Sequence, residues 1–130
     1  MCVTSTQLIA KNMIDYWVDG LILEANEAGV HIGPVSINVL VQALLPEIHQ
    51  VPIFVAGGIG RGEIFLKYLE LGAAGCQIGT RLVCSDESIA HKNFKEIFIK
   101  SEARHCQISV RLDKRFPVIP VRAIENKASK

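Results

Sequence analysis

The stretch VPIFVAGGIGRGEIFLKYLELGAAGCQIGTR, residues 51–81, leaves a chain few ways to fold. Two short apolar runs, 53–55 and 76–78, each open into small residues: Ala56, Gly57, Gly58, Ile59 and Gly60 after the first, Gly79 and Thr80 after the second. Between them Ile64, Phe65, Tyr68, Leu69 and Leu71 recur at helical spacing. The pattern is strand, helix, strand. In a βαβ unit both strands point the same way, so the two glycine-bearing ends emerge side by side on one rim. Glycine permits φ > 0 and close backbone approach, and free N–H groups at a helix start favour an anion. The stretch predicts a cradle for one phosphate group.

The same logic extends to the rest of the chain. Cys2 and Val3 followed by Thr4, Ser5 and Thr6 read as the end of a strand running into a helix cap, where a hydroxyl accepts from the helix's unpaired N–H groups. That helix is expected over 6–16, burying Leu8, Ile9, Met13 and Ile14, and Asp19-Gly20 turns it into a continuously apolar strand at 21–23. Residues 24–35 form the next loop, with Gly29, His31, Gly33 and Pro34. Ser36 caps the clearest amphipathic helix, whose Ile37, Leu40, Val41, Leu44, Leu45 and Ile48 recur at steps of three and four. Beyond Thr80, Ser85 and Asp86 are expected to cap a further helix bearing Ile89, Phe94, Ile97 and Phe98. From about Arg104 the pattern changes: 108–112 alternates, 116–121 with Pro117 and Pro120 reads as extended and edge-like, and a solvated tail follows from Asn126.

Repeated strand–helix units of roughly 20 to 30 residues mean parallel strands covered by helices, an α/β class. By residue pattern alone, four strands in an open doubly wound sheet suit a chain of 130 residues. A complete (β/α)8 barrel needs about 250. The expected division is a unit over 1–103 and an extended segment over 104–130.

Composition narrows the function classes. A net charge of +1 gives no electrostatic case for nucleic acid or an anionic membrane. No run approaches the roughly 18 apolar residues of a membrane span, and no signal-peptide pattern opens the sequence. Cys2, Cys76, Cys84 and Cys106 have neither CxxC spacing nor the density of a disulfide framework, so reduced thiols in a cytoplasm and no metal site are expected.

Three stretches carry a resemblance: Glu27-Ala28-Gly29-Val30-His31-Ile32-Gly33, Val55-Ala56-Gly57-Gly58-Ile59, and Gly75-Cys76-Gln77-Ile78-Gly79-Thr80-Arg81. In this order and spacing, residues 19–126 resemble the C-terminal half of the nitronate monooxygenase (2-nitropropane dioxygenase) family and the related FMN-dependent enoyl-[acyl-carrier-protein] reductases. The resemblance implies strands five to eight of a TIM barrel carrying FMN at the strands' C-terminal rim, where this fold binds phosphate after strands seven and eight. It implies that Gly57, Gly58, Gly79 and Thr80 hold the FMN phosphate, that Gly29 belongs to the same cofactor site, and that Gln77 reaches the ribityl chain or flavin. His31 takes the place of the family's catalytic histidine, the base that removes the proton α to a nitro group. Imidazole suits that task because its pKa lies near physiological pH. One departure is Val30 where the family has a second glycine, since a β-branched residue does not take φ > 0 without strain.

The resemblance implies oxidation of alkyl nitronates with flavin and O₂ on a small-molecule substrate. Reduction of an enoyl thioester by a nicotinamide cofactor is the alternative enzyme, and a non-catalytic barrel fragment the alternative to both. Half a barrel has two open sheet edges and an uncovered inner face, so the expected partner is a second copy or a complementary N-terminal half-barrel chain. The plainer readings are a tight turn at 56–60, core filler at Cys76, a rim ion pair for Arg81, a near-rim thiol at Cys84, hydrated carboxylates or His31-orienting ones at Glu24 and Glu27, and helix-end roles for His49, His91 and His105.

Overall fold

The computed structural model describes residues 1–108 and 120–125. Strand and helix alternate from the start: β1 (Cys2–Thr4), α1 (Gln7–Asp15), β2 (Leu21–Glu24), then a loop holding the two-residue β3 (Val30–His31), then α2 (Ile37–Leu44), β4 (Ile53–Ala56), α3 (Gly62–Glu70) and β5 (Gly75–Gln77). Four strands form one sheet in the order β1-β2-β4-β5, with every pair parallel. The α/β reading and the parallel βα units hold.

The start of each helix follows from its cap. Thr6 accepts from the Ile9 N–H at 3.3 Å, and Ser36 accepts from the Val39 N–H at 3.4 Å. A second cap on α2 comes from a distance: Glu27 Oε2 accepts from the Ile37 N–H at 2.9 Å. Glu27 therefore serves a helix start and is not merely hydrated.

Burial explains why α2 is the firmest element. It packs against β2 and β4 with α1 beside it, and Ile37, Leu40, Val41, Leu44, Leu45 and Ile48 are all buried. Edge helices bury less. On α1 the core residue is Ala10, while the expected Leu8 and Ile9 are exposed; on α3 it is Tyr68, while Ile64, Leu69 and Leu71 are exposed. A helix at the edge of a layer has a neighbour on one side only, so half its apolar stripe stays wet.

Strand register sorts the sheet into two faces. Leu21, Leu23, Ile53 and Val55 lie under the helices, and Leu21, Leu23 and Val55 are fully buried. Each such leucine stabilises the fold by roughly 2 kcal/mol through area removed from water. Val3, Ile22 and Phe54 share the other face, where Val3 is 52% exposed. The strand at 21–23 thus has a wetter face than its sequence suggested. Gly75 completes that face, and a Cβ there would lie 2.9 Å from Phe54 Cε1.

After β5 the chain departs from expectation. A short helix α4 (Thr80–Val83) begins at once, and the longer α5 (Lys92–Lys100) starts at His91, not at Ser85 or Asp86. The His91 ring Nδ1 accepts from the Asn93 N–H at 3.2 Å, and the Ser85 carbonyl accepts from Lys95 Nζ at 2.6 Å. Ile89 lies before this helix and is fully exposed, while Phe94 and Phe98 meet edge to face at 4.8 Å. A 3-10 turn (Ala103–His105) leads to β6 (Cys106–Ile108), which pairs antiparallel with β7 (Val121–Ile124); β7 also pairs antiparallel with β3. This second sheet has the order β3-β7-β6. Most of the expected alternation at 108–112 and extension at 116–121, and the tail from Asn126, lie outside the described residues. Among the described residues no helix is long and apolar enough to cross a membrane, and no cluster suits a metal ion.

Candidate functional site

All four parallel strands end on one rim. Glu24 pairs with Ala56 and Ala56 with Gln77, so the residues that leave β2, β4 and β5 do so side by side. Gly57 and Gly58 follow β4 with φ of +94° and +70°, a conformation that glycine alone adopts without strain. Val30 stands in β3, where extended backbone suits a β-branched residue.

The loop after β2 lies across the neighbouring tips. A Cβ at Gly57 would sit 2.9 Å from the Ala28 nitrogen, one at Gly58 3.2 Å from Glu27 Cβ, and one at Gly29 3.3 Å from Thr80 Oγ1. Gly29, Gly57, Gly58 and Thr80 are therefore brought together. Gly79 differs: it has a φ of −104° and, among the described residues, no atom within 4 Å of a built Cβ. What it contributes is open space. Gln77 is exposed, and its register with Ala56 and Glu24 puts it on the sheet face away from the helices.

Helix starts separate this rim from the rest of the molecule. A side chain caps α1, α2 and α5, but none caps α3 at Arg61 or α4 at Gly79. Uncapped first-turn N–H groups are donors without intrahelical partners. Beside both starts lies a cavity of about 420 Å³, lined by Ile59, Gly60, Arg61, Gly62, Ile78 and Arg81 among others. It begins just beyond Gly58 and straddles Gly79 and Thr80 in sequence. Arg61 pairs with Glu63 at 3.2 Å. The expected ion pair of Arg81 does not form among the described residues. Sequence reasoning passed over Arg61, although the alternation Gly60-Arg61-Gly62 was there to see.

His31 is exposed in β3, in register with Val121 of β7, and the Ile32 N–H donates to the Pro120 carbonyl at 3.1 Å. Glu27 does not orient it, being committed to α2. Behind the tips, burial pushes the Cys76 thiol up, and burial followed by the charges of Glu27 and Cys76 pushes the Tyr68 phenol up. Both are neutral at physiological pH, which makes Cys76 a packing residue. Cys84 Sγ donates to the Lys95 carbonyl at 3.9 Å. His49 Nε2 lies 3.0 Å from the Pro46 carbonyl, and His105 Nδ1 accepts from the Glu102 N–H at 3.0 Å, so both serve helix or turn ends.

The chain is similar to known proteins in fold and in sequence. FabK from Thermotoga maritima superposes with a TM-score of 0.86 at 30% identity, over 98% of this chain and 39% of its own. A protein named "Probable nitronate monooxygenase" from Staphylococcus saprophyticus is 30% identical over 121 residues, 85% of this chain and 33% of the relative. The (3aS,4S,5R,7aS)-5-hydroxy-7a-methyl-1-oxo-octahydro-1H-indene-4-carboxyl-CoA dehydrogenase of Rhodococcus jostii is 29% identical over 104 residues, 80% of this chain and 29% of the relative. The chain thus spans between 29% and 39% of the length of these proteins. A family model described as nitronate monooxygenase matches residues 1–130, so the chain belongs to the nitronate monooxygenase family.

Proposed function

We propose that this chain forms the phosphate-binding end and supplies the base of an FMN-dependent oxidoreductase that oxidises alkyl nitronates with O₂. In this reading β1, β2, β4 and β5 are strands five to eight of a (β/α)8 barrel. One observation carries it: the left-handed Gly57-Gly58 tip stands beside Gly79-Thr80, next to two helix starts that lack side-chain caps. Main-chain amides of Gly57, Gly58 and Gly79 and the Thr80 hydroxyl suit a phosphate. Gly29 keeps the neighbouring loop close, and Gln77 suits the ribityl chain. FMN, when bound, would supply the redox centre that takes electrons from a carbanion-like substrate and passes them to O₂. His31 takes the proton from the carbon α to the nitro group of a neutral nitroalkane onto a ring nitrogen, leaving the nitronate that is the oxidisable species.

The test uses the whole chain with FMN. His31→Ala retains the flavin's visible absorbance and abolishes oxygen uptake with the neutral nitroalkane, while turnover of preformed nitronate persists; unchanged nitroalkane turnover removes His31 from the mechanism. The likeness to FabK, TM-score 0.86, favours a second reading in which the same flavin site reduces an enoyl thioester. Crotonyl-thioester-dependent NAD(P)H oxidation without nitronate turnover selects that reading, and a chain that takes up no FMN is a non-catalytic fragment. The partner follows from the sheet, whose edge strands are β1 and β5. A second copy related by a two-fold axis along the strands sets β5 beside the partner's β1 in parallel, closing a ring over the face of Val3, Ile22 and Phe54.

A further inference from the structure

Two hydrogen bonds tie the far end of the chain to the loop after β2. From β7, the Arg122 guanidinium donates through Nη2 to the Asn26 carbonyl at 2.6 Å and through Nε to the Ala28 carbonyl at 3.2 Å. The acceptors are two residues apart in sequence, and a planar guanidinium offers two donors at a fixed spacing, where a lysine ammonium offers a single point. The loop is also closed on itself, by the Asn26 N–H to the Val35 carbonyl at 2.9 Å and the Gly33 N–H to the Ala25 carbonyl at 3.3 Å. Ala28 is the residue whose backbone abuts Gly57, and Gly29 abuts Thr80. Arg122 therefore grips this loop immediately before the glycine that meets the strand tips, and three residues before His31.

We infer that Arg122 is a positioning residue: its two hydrogen bonds hold the loop over 26–31 in the conformation that sets Gly29 against Thr80 and fixes where His31 stands relative to the strand tips. The strand β7 that delivers it also holds β3 by backbone pairing, but that pairing begins at Val30, so across 26–29 the guanidinium is the link to β7, beside the bonds that Asn26, Glu27 and Ala28 make to Val35, Ile37 and Ala25. The catalytic consequence rests on the flavin reading of the site, whereas the ordering of the loop does not.

Amide hydrogen exchange by NMR on the whole chain without flavin tests the ordering directly. Arg122→Met is expected to speed exchange at Asn26, Ala28, Ile32 and Gly33 by about tenfold or more, with Leu21 and Ala74, which donate within the main sheet region, unchanged. Arg122→Lys is expected to fall between, because one ammonium cannot serve both carbonyls at once. With FMN and a neutral nitroalkane present, Arg122→Met lowers kcat about tenfold with KM within about twofold, and Arg122→Lys recovers part of it. Unchanged exchange at the four loop amides overturns the inference, and so does equal acceleration at Leu21 and Ala74, which makes Arg122 a support of the whole fold. A parent chain that binds no FMN overturns the flavin reading alone, and the exchange comparison still decides Arg122.

Discussion

Gly57→Ala should be among the costliest single-methyl changes in this chain. The backbone there has φ +94°, a region that costs a residue with a Cβ about 1–3 kcal/mol. The new methyl would stand 2.9 Å from the Ala28 nitrogen and 3.0 Å from its Cα, both backbone atoms of a buried residue, so relief requires moving the loop, at about 1–3 kcal/mol for overpacking. Against this, alanine lowers the unfolded chain's entropy by only about 0.4–1 kcal/mol. The net loss is about 1–5.6 kcal/mol, centred on about 3, against roughly 5–15 kcal/mol for a whole small domain. With a urea slope of about 2 kcal/mol per molar, the central value lowers the midpoint by roughly 1.5 M and the smallest by about 0.5 M. Far-UV circular dichroism is the right probe, because Trp17 is 93% exposed and its fluorescence already reports water. Gly79→Ala is the control: at φ −104°, with no described atom within 4 Å of its Cβ, it should change stability by less than about 0.5 kcal/mol. In the flavin reading it should still weaken FMN binding tenfold or more, because the methyl occupies space the phosphate needs. A Gly57→Ala midpoint within 0.3 M of the parent would refute the packing of the 27–28 loop on the strand tip.

Three other outcomes follow from the same coordinates. Trp17 holds φ 60° with its side chain in water, so Trp17→Gly should stabilise by about 0.5–1 kcal/mol, the left-handed penalty less glycine's added chain entropy, and a lower melting temperature would contradict this. Cys76 and Tyr68 are acids whose folded pKa values are raised by burial, so their contribution is fully present below the unfolded values of 9.0 and 10.0 and is lost as pH rises through the folded ones. The urea midpoint should hold level to about pH 8.5 and fall above it, less steeply in Cys76→Ala; a level midpoint to pH 11 would dismiss the effect. Sedimentation at about micromolar concentration should show a dimer that Val3→Lys dissociates, since Val3 lies on the uncovered sheet face; a parent monomer ends the ring proposal.

What could be read from residues alone was whatever one element decides for itself. The six apolar positions of α2 are buried as their spacing demands, Thr6 and Ser36 cap as their hydroxyls permit, and Gly57 and Gly58 hold positive φ as a strand-to-helix turn at that point needs. Leu8 and Ile9 have the same periodic look yet are exposed, because whether a stripe is covered depends on a neighbour that α1, at the layer's edge, lacks on one side. The expected start of α5 differs for a local reason of another kind: His91 caps through its ring Nδ1, a role Ser85 and Asp86 advertise more loudly.

The loop over 24–35 shows where such reading has to end. Residues 24–35 look like a plain loop because β3 is two residues long and its partners among the described residues are Val121 and Arg122. Besides its local bonds the loop has contacts spanning 94 and 96 residues, from Arg122 to Ala28 and Asn26, which no spacing rule within a segment can express. The glycine-rich tips are local and can be read from sequence; His31, two residues beyond Gly29, is paired with the far end of the chain. If the tips bind a phosphate and His31 moves a proton, binding is encoded in 51–81, whereas reactivity depends on a second sheet that the tip motif does not specify. Substitutions in β7 should therefore separate the two, leaving FMN affinity nearly intact while turnover falls, the reverse of what Gly58→Val should do. A β7 variant that lost flavin and turnover together would mean that both properties share one support.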